Sequence, residues 1–262
     1  MNFFQALGLI VALTFLRFVF KILFGTEFYY STFGSALMGV ITLGGIVLIS
    51  KKVFAKKNID FFPANPVSDK ATVLIVSTTL FLFLVTTIIG EFEELLRIGS
   101  DDFFKGQFIF GWSTNMKRYF LGALLVAPIF EELFTRGILL QSFLKKYSTV
   151  VSIILTTLIF VSFHLGKDDF EKWDFIVVDK ISIALYCIFV SWVMVKTSNI
   201  KLAVFLHFFW NLLGYVFPLV ISVTRLDLTN PASFFIFSII ILLGSSIMLT
   251  RSILRLRSED FK

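Results

Sequence analysis

Long apolar runs are the feature that most constrains how this 262-residue chain can fold. A helix needs about 20 predominantly apolar residues to cross the roughly 30 Å hydrocarbon core of a bilayer, and the chain contains about eight such runs. They lie near 3–24, 32–50, 71–90, 119–144, 148–165, 177–195, 199–224 and 232–250. Because they are continuously apolar rather than alternating, they indicate helices and not a barrel. The sequence therefore predicts an all-α fold, a polytopic transmembrane helical bundle of about eight spans, with residues 1–262 as a single integral membrane domain.

Composition supports a membrane protein. Hydrophobic residues make up 57% of the chain and charged residues only 16%, against roughly a quarter charged in an ordinary soluble domain. The first apolar run has no basic stretch before it, so we expect it to stay in the mature protein rather than act as a signal peptide. Cys187 is the only cysteine, which excludes an intramolecular disulfide and a cysteine-based metal site.

The net charge of +6 is unevenly distributed along the chain. With eight spans, one face carries both termini and three loops, 51–70, 145–147 and 196–201, and these segments hold most of the lysines and arginines. The positive-inside rule then places both termini and these loops in the cytoplasm. Basic loops of this kind are explained by topology and anionic lipid, so we predict a lipid bilayer and no nucleic acid as the partner. The Lys- and Phe-rich composition leads us to expect a bacterial cell membrane.

Ionisable residues within apolar runs are functional candidates, because each costs about 2.5–3.5 kcal/mol on insertion scales. The fourth, fifth and seventh runs contain such residues, and the only two histidines of the chain are among them. The set, with one amide, is Glu131, Glu132, Arg136, His164, His207 and Asn211. We predict that these side chains meet in one site.

Helical spacing suggests how the fourth run is organised. Glu132 and Arg136 are four residues apart and share a face, where a carboxylate that precedes a cation pairs well. Glu131 points roughly 100° away from that face. One glutamate can thus be neutralised locally while the other faces a cavity. Pro128 lies one turn earlier, where it removes a backbone donor and can kink the helix.

Three ordered motifs carry a family resemblance. They are Glu131-Glu132-x3-Arg136, Phe160-x3-His164 and His207-x3-Asn211, each on a separate apolar run. The sequence resembles, over about 119–215, the CPBP family of intramembrane proteases, which includes the CAAX prenyl endopeptidases and bacterial relatives linked to bacteriocin processing and immunity. Residues 1–118 and 216–262 carry no such signature and say nothing about the substrate.

The resemblance implies an intramembrane endopeptidase that hydrolyses a peptide bond of a membrane-embedded, membrane-associated or lipid-anchored polypeptide. It implies that Glu131 and His164 orient and deprotonate a water molecule, and that His207 and Asn211 donate hydrogen bonds to the oxyanion. Glu132 and Arg136 then support the site by holding the fourth helix. We expect no cofactor, and the substrate itself is not identified.

Other functions fit the same residues. Two histidines and a glutamate form a known catalytic zinc set, so Glu131, His164 and His207 could instead bind Zn²⁺. Their spacing is not the His-Glu-x-x-His of zinc peptidases, and we favour the metal-free reaction. A proton- or ion-coupled transporter also uses buried acid and histidine groups, but no inverted repeat is visible. A third alternative is a non-proteolytic immunity or scaffold protein whose buried polar residues are structural.

Overall fold

The computed structural model describes residues 3–25, 28, 33–34, 37–42, 44–45, 48, 60–98, 122–165, 176–224 and 231–254. In these ranges the regular secondary structure is helical, apart from one isolated antiparallel bridge between Ala64 and Asn199. The all-α prediction is confirmed. Both chain termini lie outside the described residues, so their predicted cytoplasmic location stays a prediction.

The helices follow the apolar runs closely. We number them α1 (Phe3–Phe24), α2 (Asp69–Ile98), α3 (122–144), α4 (Thr149–Phe163), α5 (Ile176–Thr197), α6 (Ile200–Thr224) and α7 (Pro231–Leu254). Residues 37–42, within the second predicted run, are also helical. Among the described residues, Asp69–Gly90 and Lys180–Thr197 are long and apolar enough to cross a membrane by themselves. The number of spans stays a prediction.

Helix α3 departs from the regular α-helix that the sequence predicted. It consists of a π-helical stretch Gly122–Val126, an α-helical turn Ala127–Glu132, a second π-helical stretch Leu133–Leu140 and a final turn Gln141–Leu144. Pro128 lies at the start of the α-helical turn, where its missing N–H cannot bond to the preceding turn. π-Helical turns are rare in proteins, and those that occur often lie at functional sites.

The chain divides into two compact units. The first contains Met1–Asn65, Trp112–Ile159 and Val190–Phe208, and the second contains Pro66–Gly111, Phe160–Phe189 and Phe209–Lys262. Within the first unit, residues of α3 and α4 form an apolar core. Its members are Phe134, Ile138, Leu139, Phe143 and Ile159, with Phe61, Phe62, Tyr147 and Leu155 packed against them.

Two loop segments of the first unit are joined by backbone hydrogen bonds. Asn65 N donates to Ser198 O at 3.0 Å, and Ile200 N donates to Pro63 O at 2.8 Å. Tyr147, in the 145–147 loop, packs against the same apolar core as Phe61 and Phe62. The assignment of loops 51–70, 145–147 and 196–201 to one face of a membrane stays a prediction, and residues 51–59 lie outside the described residues.

Within the second unit, α2 packs along α7. Three aromatic side chains of the second unit, from α2, α5 and α6, also pack together. The Trp210 ring lies 5.4 Å from Phe83 in an edge-on arrangement and 4.7 Å from Tyr186, between ring centroids. Both distances are typical of favourable aromatic pairs. Helix α2 begins with Ser68 as its N-cap, since Ser68 Oγ accepts a hydrogen bond from Ala71 N at 3.2 Å.

Candidate active site

The candidate site of the first unit lies on α3 and α6. Helix α3 contributes Glu131, Glu132 and Arg136, and α6 contributes His207. The side chains of Glu132 and Arg136 have no solvent exposure, and that of His207 is 7% exposed. Arg136 is the largest fully buried side chain among the described residues. Such groups persist in an apolar interior only when they are paired and hydrogen-bonded.

Arg136 is held by its own helix. Its Nη1 lies 2.9 Å from Glu132 Oε1, as the four-residue spacing predicted, and 2.8 Å from Thr135 Oγ1. The Thr135 hydroxyl in turn donates to the backbone carbonyl of Glu131. A side-chain hydroxyl on this carbonyl competes with the backbone N–H that an α-helix would place there. This competition offers a physical reason for the wider π-helical turn that begins at Leu133.

His207 lies against both carboxylates. Its Nδ1 is 2.8 Å from Glu132 Oε1, and its Nε2 is 3.8 Å from Glu131 Oε2. A carboxylate can only accept, so the short contact requires Nδ1 to carry a proton and leaves Nε2 as the ring atom nearer Glu131. The sequence did not predict this contact, because Glu132 was assigned to Arg136 alone. Glu132 Oε1 in fact accepts from both Arg136 and His207.

The two glutamates differ in accessibility. The Glu131 side chain is 33% exposed, whereas that of Glu132 is fully buried. Glu132 Oε1 is already engaged by two donors, and Glu132 Oε2 has no hydrogen-bond partner among the described residues. Glu131 is therefore the carboxylate with access to a water molecule or a substrate. Helical spacing in the sequence separated the two glutamates in the same way.

His164 and Asn211 belong to the second unit. His164 follows the last residue of α4, and its Nδ1 lies 2.9 Å from the backbone carbonyl of Phe160, one turn earlier. The carbonyl can only accept, so Nδ1 donates this hydrogen bond. Asn211 lies one turn beyond His207 on α6. That these two residues share the site with Glu131 stays a prediction.

No group of three His, Cys, Asp or Glu side chains in the described part of the chain is arranged to hold a metal ion. The zinc alternative, with Glu131, His164 and His207 as ligands, stays open. Chelation is the direct test of that alternative.

Thr135 is a site residue that was not predicted from the sequence. It is 1% exposed and receives a hydrogen bond from Arg136. Its position between Glu132 and Arg136 in an apolar run was the available signal, because a buried cation needs more than one acceptor. A threonine in an apolar helix is so often satisfied by its own backbone that the signal is weak.

Comparison with known proteins bears on this site. Residues 113–213 match the family model for type II CAAX prenyl endopeptidases, described as Rce1-like. The resemblance is confirmed. We call residues 113–213 the CAAX-protease-like core. It includes Glu131, Glu132, Arg136, His164, His207 and Asn211 and spans less than half of the 262 residues.

The match supports a peptidase of the CAAX-protease type that acts at a membrane. This agrees with the apolar helices on either side of the CAAX-protease-like core. No curated protein and no solved structure matches the chain significantly.

Proposed function

We propose that this protein is an intramembrane endopeptidase that hydrolyses a peptide bond of a membrane-associated or lipid-anchored polypeptide without a metal. The observation that carries the proposal is the contact of His207 with Glu131 and Glu132 inside the CAAX-protease-like core. Buried ionisable groups in a membrane protein are costly, and they are retained where chemistry requires them.

Peptide hydrolysis needs a base for the water, donors for the oxyanion and an acid for the leaving amine. In our assignment Glu131, with His164, removes a proton from water as its oxygen attacks the scissile carbonyl. The resulting oxyanion accepts hydrogen bonds from His207 and Asn211. Glu131 then returns its proton to the departing nitrogen, so the base and the acid are the same carboxyl group.

The contacts of His207 support its role as a donor. Glu132 holds the Nδ1 side of the ring, which orients the Nε2 side away from Glu132. A donor at Nε2 requires a protonated imidazole, and the two carboxylates with Arg136 allow one: the four side chains then carry two negative and two positive charges. Glu132 and Arg136 are thus positioning residues for His207 as well as for α3.

The decisive experiment replaces Glu131 with glutamine, which keeps its size and removes its basicity. Purified Glu131→Gln protein should insert and unfold like the wild type but should not cleave a membrane-associated peptide. Comparing membrane peptide profiles of cells with wild-type and Glu131→Gln protein would then reveal the accumulated precursor and name the substrate. Near-normal cleavage by Glu131→Gln would refute the assignment.

Cooperation between Glu131 and His164 is tested by a double variant. Residues that act as a unit are not additive, so Glu131→Gln with His164→Ala should be hardly worse than either single variant. Rate losses that multiply would mean that the two side chains act in separate steps.

Metal dependence is tested on the purified wild-type protein. Strong chelators should leave cleavage intact, and metal analysis should find no stoichiometric zinc. Loss of cleavage that zinc restores would recast Glu131, His164 and His207 as ligands of a catalytic metal.

The transporter and immunity alternatives make different predictions for the same preparation. A transporter would carry protons into proteoliposomes, and that flux would depend on Glu131 and His207. A scaffold or immunity protein would neither cleave peptides nor move protons, and Glu131→Gln would leave its phenotype unchanged. Either result would replace the protease assignment.

A further inference from the structure

An irregular segment of the first unit contacts α3 and the start of α6, the two helices that carry the candidate site. We call residues 60–65 the strap. Its end pairs with the turn between α5 and α6 through two backbone hydrogen bonds, Asn65 N to Ser198 O and Ile200 N to Pro63 O. A third bond, from Asn199 Nδ2 to Asn65 O at 2.6 Å, joins a side chain to the strap.

The beginning of the strap rests on α3. Gly137 follows Arg136 directly, and a Cβ atom added there would lie 2.7 Å from the Phe62 ring and 3.0 Å from the Phe61 carbonyl oxygen. Only a residue without a side chain permits this approach. Phe61 and Phe62 also pack against the apolar core of α3 and α4.

Asn199 links the strap to the start of α6. Its Oδ1 accepts a hydrogen bond from Leu202 N at 2.9 Å, which makes Asn199 the N-cap of α6, while its Nδ2 donates to Asn65. The preceding residue, Ser198, has a φ of 47°, in the left-handed region. The strap is therefore fixed to the first turn of the helix that carries His207, about 12 Å further along at 1.5 Å per residue.

We propose that the strap is a positioning element that sets α6 against α3 so that His207 Nδ1 meets Glu132 Oε1. The strap contacts α3 one turn beyond Glu132 and α6 two turns before His207, so it defines the relative position of the two helices close to their shared hydrogen bond. A hydrogen bond of 2.8 Å tolerates little displacement, and a misplacement of about 1 Å can cost a hundredfold in rate. The kinetic part of this inference rests on the proposed function.

The first test separates the two roles of Asn199. Asn199→Asp keeps an oxygen that can cap α6 but removes the donor to Asn65, so we expect kcat to fall roughly tenfold to a hundredfold with KM nearly unchanged. The matched control is Ser68→Ala, which removes the N-cap of α2 and should leave kcat unchanged. Equal kcat for Asn199→Asp and wild type, or equal losses in both variants, would contradict the proposal.

The second test makes the attachment of the strap to position 199 reversible with a disulfide. Ala64 and Asn199 form the non-hydrogen-bonded pair of the antiparallel bridge, a geometry with Cα atoms about 4.5 Å apart that suits a disulfide. In a Cys187→Ala background, the double variant with Ala64→Cys and Asn199→Cys should have a low kcat when its cysteines are reduced. Its kcat should recover when they are oxidised to a disulfide. Each single cysteine variant should show no redox response. A double variant that cleaves equally fast in both redox states would overturn the proposal.

A third measurement does not depend on proteolysis. In the double-cysteine protein carrying Glu131→Gln, His207 should react faster with diethyl pyrocarbonate when the strap is reduced, whereas His164 should react at a constant rate as an internal reference. Peptide mass spectrometry distinguishes the two histidines. If the wild-type protein cleaves no peptide, the proposed function is wrong, but this measurement still tests whether the strap positions His207. An unchanged reaction rate at His207, or a parallel rise at both histidines, would refute the proposed positioning role of the strap.

Discussion

Helices α3 and α5 have similar lengths but bury different kinds of side chain. Helix α5 is an uninterrupted α-helix over Ile176–Thr197, and its buried positions are filled mainly by apolar side chains such as Val190, Val193 and Met194. Helix α3 buries Glu132 and Arg136 and changes between α- and π-helical turns. In α3 the buried charges are accompanied by a loss of helical regularity, for which competition of side chains for backbone acceptors offers a physical reason.

Two buried hydroxyls, one on each helix, have different surroundings. Thr135 on α3 links Arg136 to the backbone of Glu131. Ser191 on α5 is also fully buried, yet its hydroxyl has no hydrogen-bond partner among the described residues. Thr135 thus belongs to a network, whereas Ser191 makes no hydrogen bond within the described part of the chain, and neither does the buried Ser142 at the end of α3.

The largest expected effect on stability comes from breaking the buried ion pair of α3. Arg136→Ala leaves Glu132 as a buried acid without its guanidinium partner, and such changes cost about 3–5 kcal/mol. Unfolding in detergent should show this loss, together with low yield and low activity. The control is Glu132→Gln with Arg136→Met, which removes both charges and should be more stable than Arg136→Ala. If the double variant is no more stable, the unpaired charge is not the cause.

The next effect concerns the proposed oxyanion donors on α6. His207→Ala and Asn211→Ala should each lower kcat about a hundredfold to a thousandfold, the usual cost of losing one such donor. For Asn211→Ala, unfolding curves and substrate KM should change much less than kcat, whereas His207→Ala also removes a donor from the buried Glu132 and should lower stability as well. A pure rise in KM for either variant would indicate that the residue binds substrate instead.

A smaller effect is expected where the helical residues 37–42 approach α3. A Cβ atom on Gly39 would overlap the ring of Phe130, the neighbour of Glu131. Gly39→Ala should therefore destabilise the protein by about 1–3 kcal/mol through overpacking. Gly44→Ala is the matched control, because a Cβ atom there meets open space among the described residues. Equal unfolding temperatures for the two variants would exclude a close helix contact at Gly39.

The last prediction contrasts the hydroxyls of Thr135 and Ser191, and the change at Ser191 is the smallest effect expected. Thr135→Val should cost about 1–3 kcal/mol, since it removes an acceptor from a buried arginine. Ser191→Ala should be neutral or stabilising by less than about 1 kcal/mol, because it removes a buried hydroxyl that makes no bond within the described chain. Thermal unfolding of both variants measures the difference. A destabilised Ser191→Ala protein would show that α5 contains a polar network of its own.

Much of the architecture was predictable. The ends of α1 agree with the first apolar run to the residue, and those of α5 and α6 agree within about two residues. The pairing of Glu132 with Arg136 also followed from their spacing. The π-helical turns of α3 were not predicted, since they depend on Thr135 engaging a backbone carbonyl rather than on apolar periodicity. The attachment of the segment around Pro63 to Asn199 was not predicted either.

By itself, the sequence determined the helices and the kinds of chemical groups available, because hydropathy and four-residue spacing are local properties that each segment carries alone. Tertiary structure decided which groups meet. His207 is 75 residues from Glu132 in the chain, and no spacing rule relates side chains on different helices. Their 2.8 Å contact exists because α3 and α6 pack at one particular height and rotation. Packing of that kind depends on volumes and close approaches, such as Phe62 over Gly137, that only the folded chain brings together.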